Sequence, residues 1–81
     1  MRNIAVIGLG GFGSSLAREL AEKGIEVLAI DRDRDPVDAI KDSVTHAATL
    51  SSTDEDALRA VGIQNVDVAV GNAQQRLQKS L

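Results

Sequence analysis

Four short apolar runs, separated by stretches with helical spacing, organise the chain. The first, Asn3 to Ile7, centres on Ile4-Ala5-Val6-Ile7 and stops at Gly8. A continuous, partly β-branched run of this kind suits a strand buried on both faces of a parallel sheet. From Phe12 to Lys23 the apolar residues Phe12, Leu16, Ala17, Leu20 and Ala21 recur at helical spacing, and Gly24 supplies a stop. Glu26 to Ile30 predicts a second strand that ends at Asp31. Asp35 and Pro36 then fit the N-cap and first position of a second helix, with Val37, Ile40 and Val44 as its apolar stripe. Thr45 to Leu50 predicts a weak third strand. Two overlapping capping boxes follow, Ser52 with Glu55 and Thr53 with Asp56, and open a helix that turns Ala57, Leu58 and Val61 inward before Gly62. Val66 to Val70 predicts a fourth strand and Gly71-Asn72 a turn. Ala73 to Leu81 is polar and weakly helical, a short C-terminal helix or tail.

The order is β-α-β-α-β-α-β. Strands alternating with helices imply an α/β fold with a parallel sheet and right-handed crossovers. The expected strand order is 3-2-1-4, with one domain over residues 1–72 and the tail over 73–81.

Within that frame, Gly8-Leu9-Gly10-Gly11-Phe12-Gly13 fits the spacing G-x-G-x-x-G. The pattern alone is weak, but here it follows a strand and opens a helix, which is the context a dinucleotide-binding Rossmann turn requires. Gly8 makes the tight turn, Gly10 admits a pyrophosphate to the backbone, and Gly13 brings the helix against the sheet. The helix N-terminal N–H groups and the positive end of its dipole then favour the anion. Gly11 is a fourth glycine outside the fingerprint, and Ser14 and Ser15 offer hydroxyls in the first helical turn. Asp31 stands 18 residues after Gly13, where the fingerprint wants an acid for the ribose hydroxyls. Its charge disfavours a 2′-phosphate, so NAD or NADH is expected over NADP, although Arg32 and Arg34 beside it temper the preference. Ser51 and Ser52 follow the third strand, where they contact adenine, cap the next helix, or do both. Asp33, Asp35 and Asp38 read as a solvated loop and helix start, the single His46 as structural, and Gly71-Asn72 as either a ligand border or a simple turn.

Composition narrows the function further. Nine basic against twelve acidic residues give a net charge of −3, which argues against nucleic acid as a partner. No apolar run is long enough for direct membrane insertion, and a cytoplasmic location is expected. With no Cys, Tyr or Trp, thiol chemistry, thiolate metal sites and a Tyr/Lys proton relay are all excluded. A single Phe leaves a core built of aliphatic side chains. The residues show a binding half-site without visible catalytic chemistry, and neither a catalytic nor a metal site is expected.

Three stretches resemble a known family: Ala5-Val6-Ile7-Gly8-Leu9-Gly10-Gly11-Phe12-Gly13, then Glu26-Val27-Leu28-Ala29-Ile30-Asp31, then Asp54 to Ile63 followed by Val66-Asp67. Together they resemble the regulator of K+ conductance (RCK) domain, also called the TrkA-N domain, over about residues 3–70. The resemblance implies a non-catalytic regulatory module of a potassium channel or transporter, cytoplasmic and peripheral to the membrane through that subunit. It implies binding of NAD(H), ADP or ATP and assembly as a homodimer or higher oligomer. By position it implies a phosphate site at Gly8, Gly10, Gly11, Phe12 and Gly13, a ribose site at Asp31 with Arg32, and an adenine loop at Ser51 and Ser52. Family members often carry Arg where Gly11 stands and Asp-Ala where Ser51-Ser52 stand, and they continue past the fourth strand. Two alternatives remain open: the NAD-binding front of an oxidoreductase, and a minimal fragment that associates through exposed sheet edges.

Overall fold

The apolar runs become strands. In a computed structural model that describes residues 2–71, β1 is Asn3–Ile7, β2 Glu26–Asp31, β3 His46–Thr49 and β4 Val68–Val70. They form one parallel sheet in the order β3-β2-β1-β4, as the alternating pattern predicts. The helices are α1, Gly11–Glu22, α2, Arg34–Ile40, and α3, Glu55–Ala60, with a 3-10 turn at Ile63–Asn65 before β4. Register pairs Ile7 with Ile30, Val6 with Val70, and Asp31 with Thr49, so the carboxyl ends of all four strands meet at one rim.

Alternation along β2 divides the core. Val27 and Ala29 join Val6, Leu9, Ala17, Val37 and Ile40 beneath α1 and α2. Leu28 and Ile30 join Ala5 on the opposite face, where Leu58, Val61, Ile63 and Val66 only half cover them. The faces differ in depth because α3 is a single short helix with no fully buried residue. The core is aliphatic throughout. Phe12, which the spacing places on the stripe of α1, is instead 65% exposed in its first turn.

Several boundaries move for identifiable reasons. The N-cap of α2 is Asp33 rather than Asp35, which places Asp35 and Pro36 inside the first turn, where a missing N–H breaks no helical bond. The helix ends at Ile40, so Val44 packs on the core from beyond it. The cap of α3 is Asp54, whose carboxylate accepts from the Ala57 N–H at 3.1 Å. Ser52 and Thr53 do not cap it, because Thr53 is held locally by the Ser51 hydroxyl, through its N–H at 3.2 Å and its own hydroxyl at 2.7 Å. β3 starts one residue late, since the Thr45 hydroxyl rather than its backbone accepts from the Val27 N–H at 3.2 Å. β4 is shorter than Val66–Val70 because one of the two bonds between Asp67 and Asn3 is made by a side chain: the Asp67 N–H donates to the Asn3 carbonyl at 2.8 Å, but the Asn3 N–H donates to the Asp67 carboxylate at 3.0 Å. Gly24 and Gly62 follow the ends of α1 and α3 as their positions suggest. Asn72 and the expected tail over 73–81 lie outside the described residues.

Candidate functional site

The glycine-rich turn carries the chain from β1 into α1 at the carboxyl rim of the sheet. Gly8 leaves the strand at φ +96°, a left-handed conformation that glycine adopts without strain, and its N–H donates to the Ile30 carbonyl at 2.8 Å. Leu9 is only 3% exposed and drops its side chain into the core between α1, α2 and the sheet. Its N–H donates to a carboxylate oxygen of Asp31 at 2.7 Å, and its carbonyl accepts from the Ser14 hydroxyl at 2.9 Å. Gly10 caps the helix, accepting from the Ser14 N–H at 2.9 Å.

The glycines of this turn separate by cause. A Cβ on Gly13 would run into the carbonyl oxygen of Gly8 and sit 3.6 Å from a methyl of Val6. The close contact of α1 with the strand therefore forbids any side chain there. A Cβ on Gly10 or Gly11 would meet nothing within 4 Å among the described residues. Gly10 has an extended backbone, φ −69° and ψ −167°, open to any residue. The fold requires Gly8 and Gly13, whereas at Gly10 and Gly11 it leaves main chain uncovered and facing outward.

The N-terminus of α1 is also electrostatically bare. Among the described residues no side chain caps it, and no acidic residue lies in its first turn. The first N–H groups of a helix have no intrahelical acceptor, and they carry the positive end of the dipole. A cleft of about 180 Å³ opens beside them, lined by Gly10, Gly11, Phe12 and Leu16 on one side and Val70 and Gly71 on the other. It lies between the carboxyl ends of β1 and β4, where the strand order reverses and open α/β sheets receive ligands.

The remaining candidates lie along the same rim. Asp31 touches the turn directly through Leu9, and its second oxygen accepts from the Asp33 N–H at 2.8 Å. Its carbonyl accepts from the Leu50 N–H at 3.0 Å, which draws the Ser51-Ser52 loop alongside. Arg32, Ser51 and Ser52 are exposed, and none of them, nor Asp31, lines the cleft beside β4. The site thus runs from the cleft, over the turn, to the ends of β2 and β3. Ser14 is not free for a phosphate, since its hydroxyl is engaged by Leu9. The sequence reading missed Leu9 as the buried anchor of the turn. One signal was present: it is the large apolar residue set among Gly8, Gly10 and Gly11.

A larger cleft of about 260 Å³ opens at the opposite rim, with Asn3, Glu26, His46 and Asn65 in its lining. It lies beside Val61 and Gly62, at the carboxyl end of α3. That end of a helix presents carbonyl oxygens and disfavours an anion. Among the described residues no helix is long and apolar enough to cross a membrane.

The fold and its turn define a Rossmann-type α/β domain with an uncapped, glycine-rich strand-to-helix junction. Within that class the chain belongs to the TrkA-N domain family, whose sequence model matches residues 4–79. It is 39% identical over 80 residues to Ktr system potassium uptake protein C of Bacillus subtilis, covering 99% of this chain and 36% of that protein. It is 42% identical over 73 residues to Ktr system potassium uptake protein A of the same organism, covering 86% of this chain and 33% of that protein. A 35% identity over 71 residues relates it to 5-formyl-3-hydroxy-2-methylpyridine 4-carboxylate 5-dehydrogenase of Mesorhizobium japonicum, covering 88% of this chain and 21% of the enzyme. The chain spans about a third of the length of the two uptake proteins.

Proposed function

We propose that this chain is a nucleotide-sensing regulatory module of a potassium uptake system, that it binds NAD or NADH at the Gly8–Gly13 turn, and that it catalyses no reaction. One observation carries the ligand assignment: Gly10 and Gly11 are glycines that the fold does not need, placed on a helix start that no side chain caps. Uncovered main-chain N–H groups at a helix N-terminus suit a diphosphate. In this reading Gly8, Gly10, Gly11, Phe12 and Gly13 hold the pyrophosphate, Asp31 accepts from the adenosine ribose with Arg32 beside it, and Ser51 and Ser52 border the adenine.

Gly11 offers no cation for a third phosphate, which favours a diphosphate over ATP. The dehydrogenase similarity keeps an oxidoreductase as the second reading. The regulatory reading is preferred because the two potassium uptake proteins match 99% and 86% of this chain. The partner is then a membrane K+ channel or transporter subunit, and the module is cytoplasmic. Among the described residues β4 pairs only with β1, and this sheet edge supports pairing in a homodimer or larger assembly.

Titration calorimetry with NADH, NAD, ADP and ATP tests the ligand assignment. Saturable binding with NAD or NADH tightest is expected. Absence of binding to all four at millimolar ligand would end the reading. Turnover of NADH by the chain together with a carbonyl substrate would favour the oxidoreductase instead.

A further inference from the structure

The geometry points to a second role for Asp31: through Leu9, it positions the main chain of the glycine-rich turn, independently of any ribose hydroxyl. The inference rests on the nucleotide reading above and adds to it a residue that acts on the phosphate loop rather than on the sugar.

The turn has little conformational preference of its own, since Gly8, Gly10 and Gly11 surround Leu9 and glycine loses the most freedom on ordering. Something outside the turn must fix its course. The fixings converge on Leu9. Its side chain is buried, its carbonyl is held by Ser14 at 2.9 Å, and its N–H is held by Asp31 at 2.7 Å. The Asp31 bond is charge-assisted, a class roughly twice as strong as neutral hydrogen bonds. Asp31 is itself anchored: it pairs in register with Thr49, its carbonyl accepts from Leu50 at 3.0 Å, and its second carboxylate oxygen accepts from Asp33 at 2.8 Å. The carboxylate is therefore a bridge from the end of β2 to the turn after β1. Each carboxylate oxygen accepts more than one hydrogen bond, so a ribose hydroxyl could still be received.

The two roles predict opposite results with a ligand that has no ribose. If Asp31 only receives ribose, its removal leaves the binding of inorganic pyrophosphate unchanged, or tightens it by removing a negative charge. If it positions the turn, pyrophosphate binding weakens. The full 81-residue chain serves for both measurements, as wild type, Asp31→Ala and Asp31→Asn. Amide hydrogen exchange in the ligand-free protein is followed at Leu9, with Val6 and Ala29 as core references. In Asp31→Ala, Leu9 exchange is expected to accelerate by about tenfold or more relative to the references, and pyrophosphate affinity to fall. Asp31→Asn keeps one acceptor oxygen and should fall between; it carries the test if the alanine variant does not fold. Unchanged Leu9 exchange in the folded variants would overturn the inference, as would equal or tighter pyrophosphate binding. If even the wild type binds neither pyrophosphate nor nucleotide, the proposed function fails, while Leu9 exchange still decides whether the carboxylate holds the turn.

Discussion

Helices α1 and α3 both follow the carboxyl end of a strand, and both begin with N–H groups that have no partner within the helix. At α3 the chain supplies the partner. Asp54 accepts from the Ala57 N–H at 3.1 Å, Glu55 and Asp56 add negative charge in the first turn, and Ser51 and Thr53 tie the approach by their side chains. At α1 the chain withholds it. The cap is Gly10, no acid lies in the first turn, and the approach is tied from below by Leu9, Ser14 and Asp31. The first arrangement serves the helix alone, and the second stabilises the turn while leaving its outer face bare. One chain thus separates a helix start that neutralises itself from one that leaves room for an anion.

The comparison can be strained at several points. The largest effect is expected at Gly13, where a Cβ collides with the carbonyl of Gly8. Gly13→Ala should cost about 3 kcal/mol, enough to unfold much of a small domain, as read from urea denaturation. An unchanged midpoint would show that α1 has slack against the strand. Next comes Gly8→Ala, at φ +96°, with an expected loss of about 1–2 kcal/mol in the same assay. Asp54→Ala should cost about 1 kcal/mol by removing the cap of α3, with nucleotide affinity unaltered in calorimetry. A loss of affinity there would mean that the two helix starts are not independent. Gly11→Ala should have the smallest effect on stability, a gain of about 0.5 kcal/mol from better helix propensity at an unobstructed position. A loss of stability there would show that the fold needs this glycine after all.

Most of this architecture is written in patterns that depend on neighbours along the chain. The buried runs at Val6 and at Val27–Ile30 and the glycines at 24 and 62 locate β1, β2, α1 and α3 without reference to the rest of the molecule. The parallel order 3-2-1-4 then follows from alternation and handedness. The shifted boundaries have a different origin. Thr45 and Asp67 each replace a backbone partner with a side chain across 18 and 64 residues, whereas Asp54 takes the cap of α3 because the neighbouring Ser51 hydroxyl already holds Thr53. Within the candidate site, the glycine spacing locates the turn, but not the division between glycines the fold requires and those it leaves open. That division rests on the path of α1 over β1. The link from Asp31 to Leu9 spans 22 residues and joins the end of β2 to the turn after β1, so no local pattern contains it.

Gly10→Asp tests the central claim most directly, because it gives α1 the cap that α3 already has. The fold leaves the space beside Gly10 open, and Asp is among the best N-caps, so thermal unfolding should show stability held or raised by up to about 1 kcal/mol. The same carboxylate would take the donors and the position intended for the diphosphate, and like charges brought together cost several kcal/mol, so NADH affinity in calorimetry should fall by about a hundredfold or more. A folded Gly10→Asp protein that binds NADH as tightly as the wild type would contradict the account.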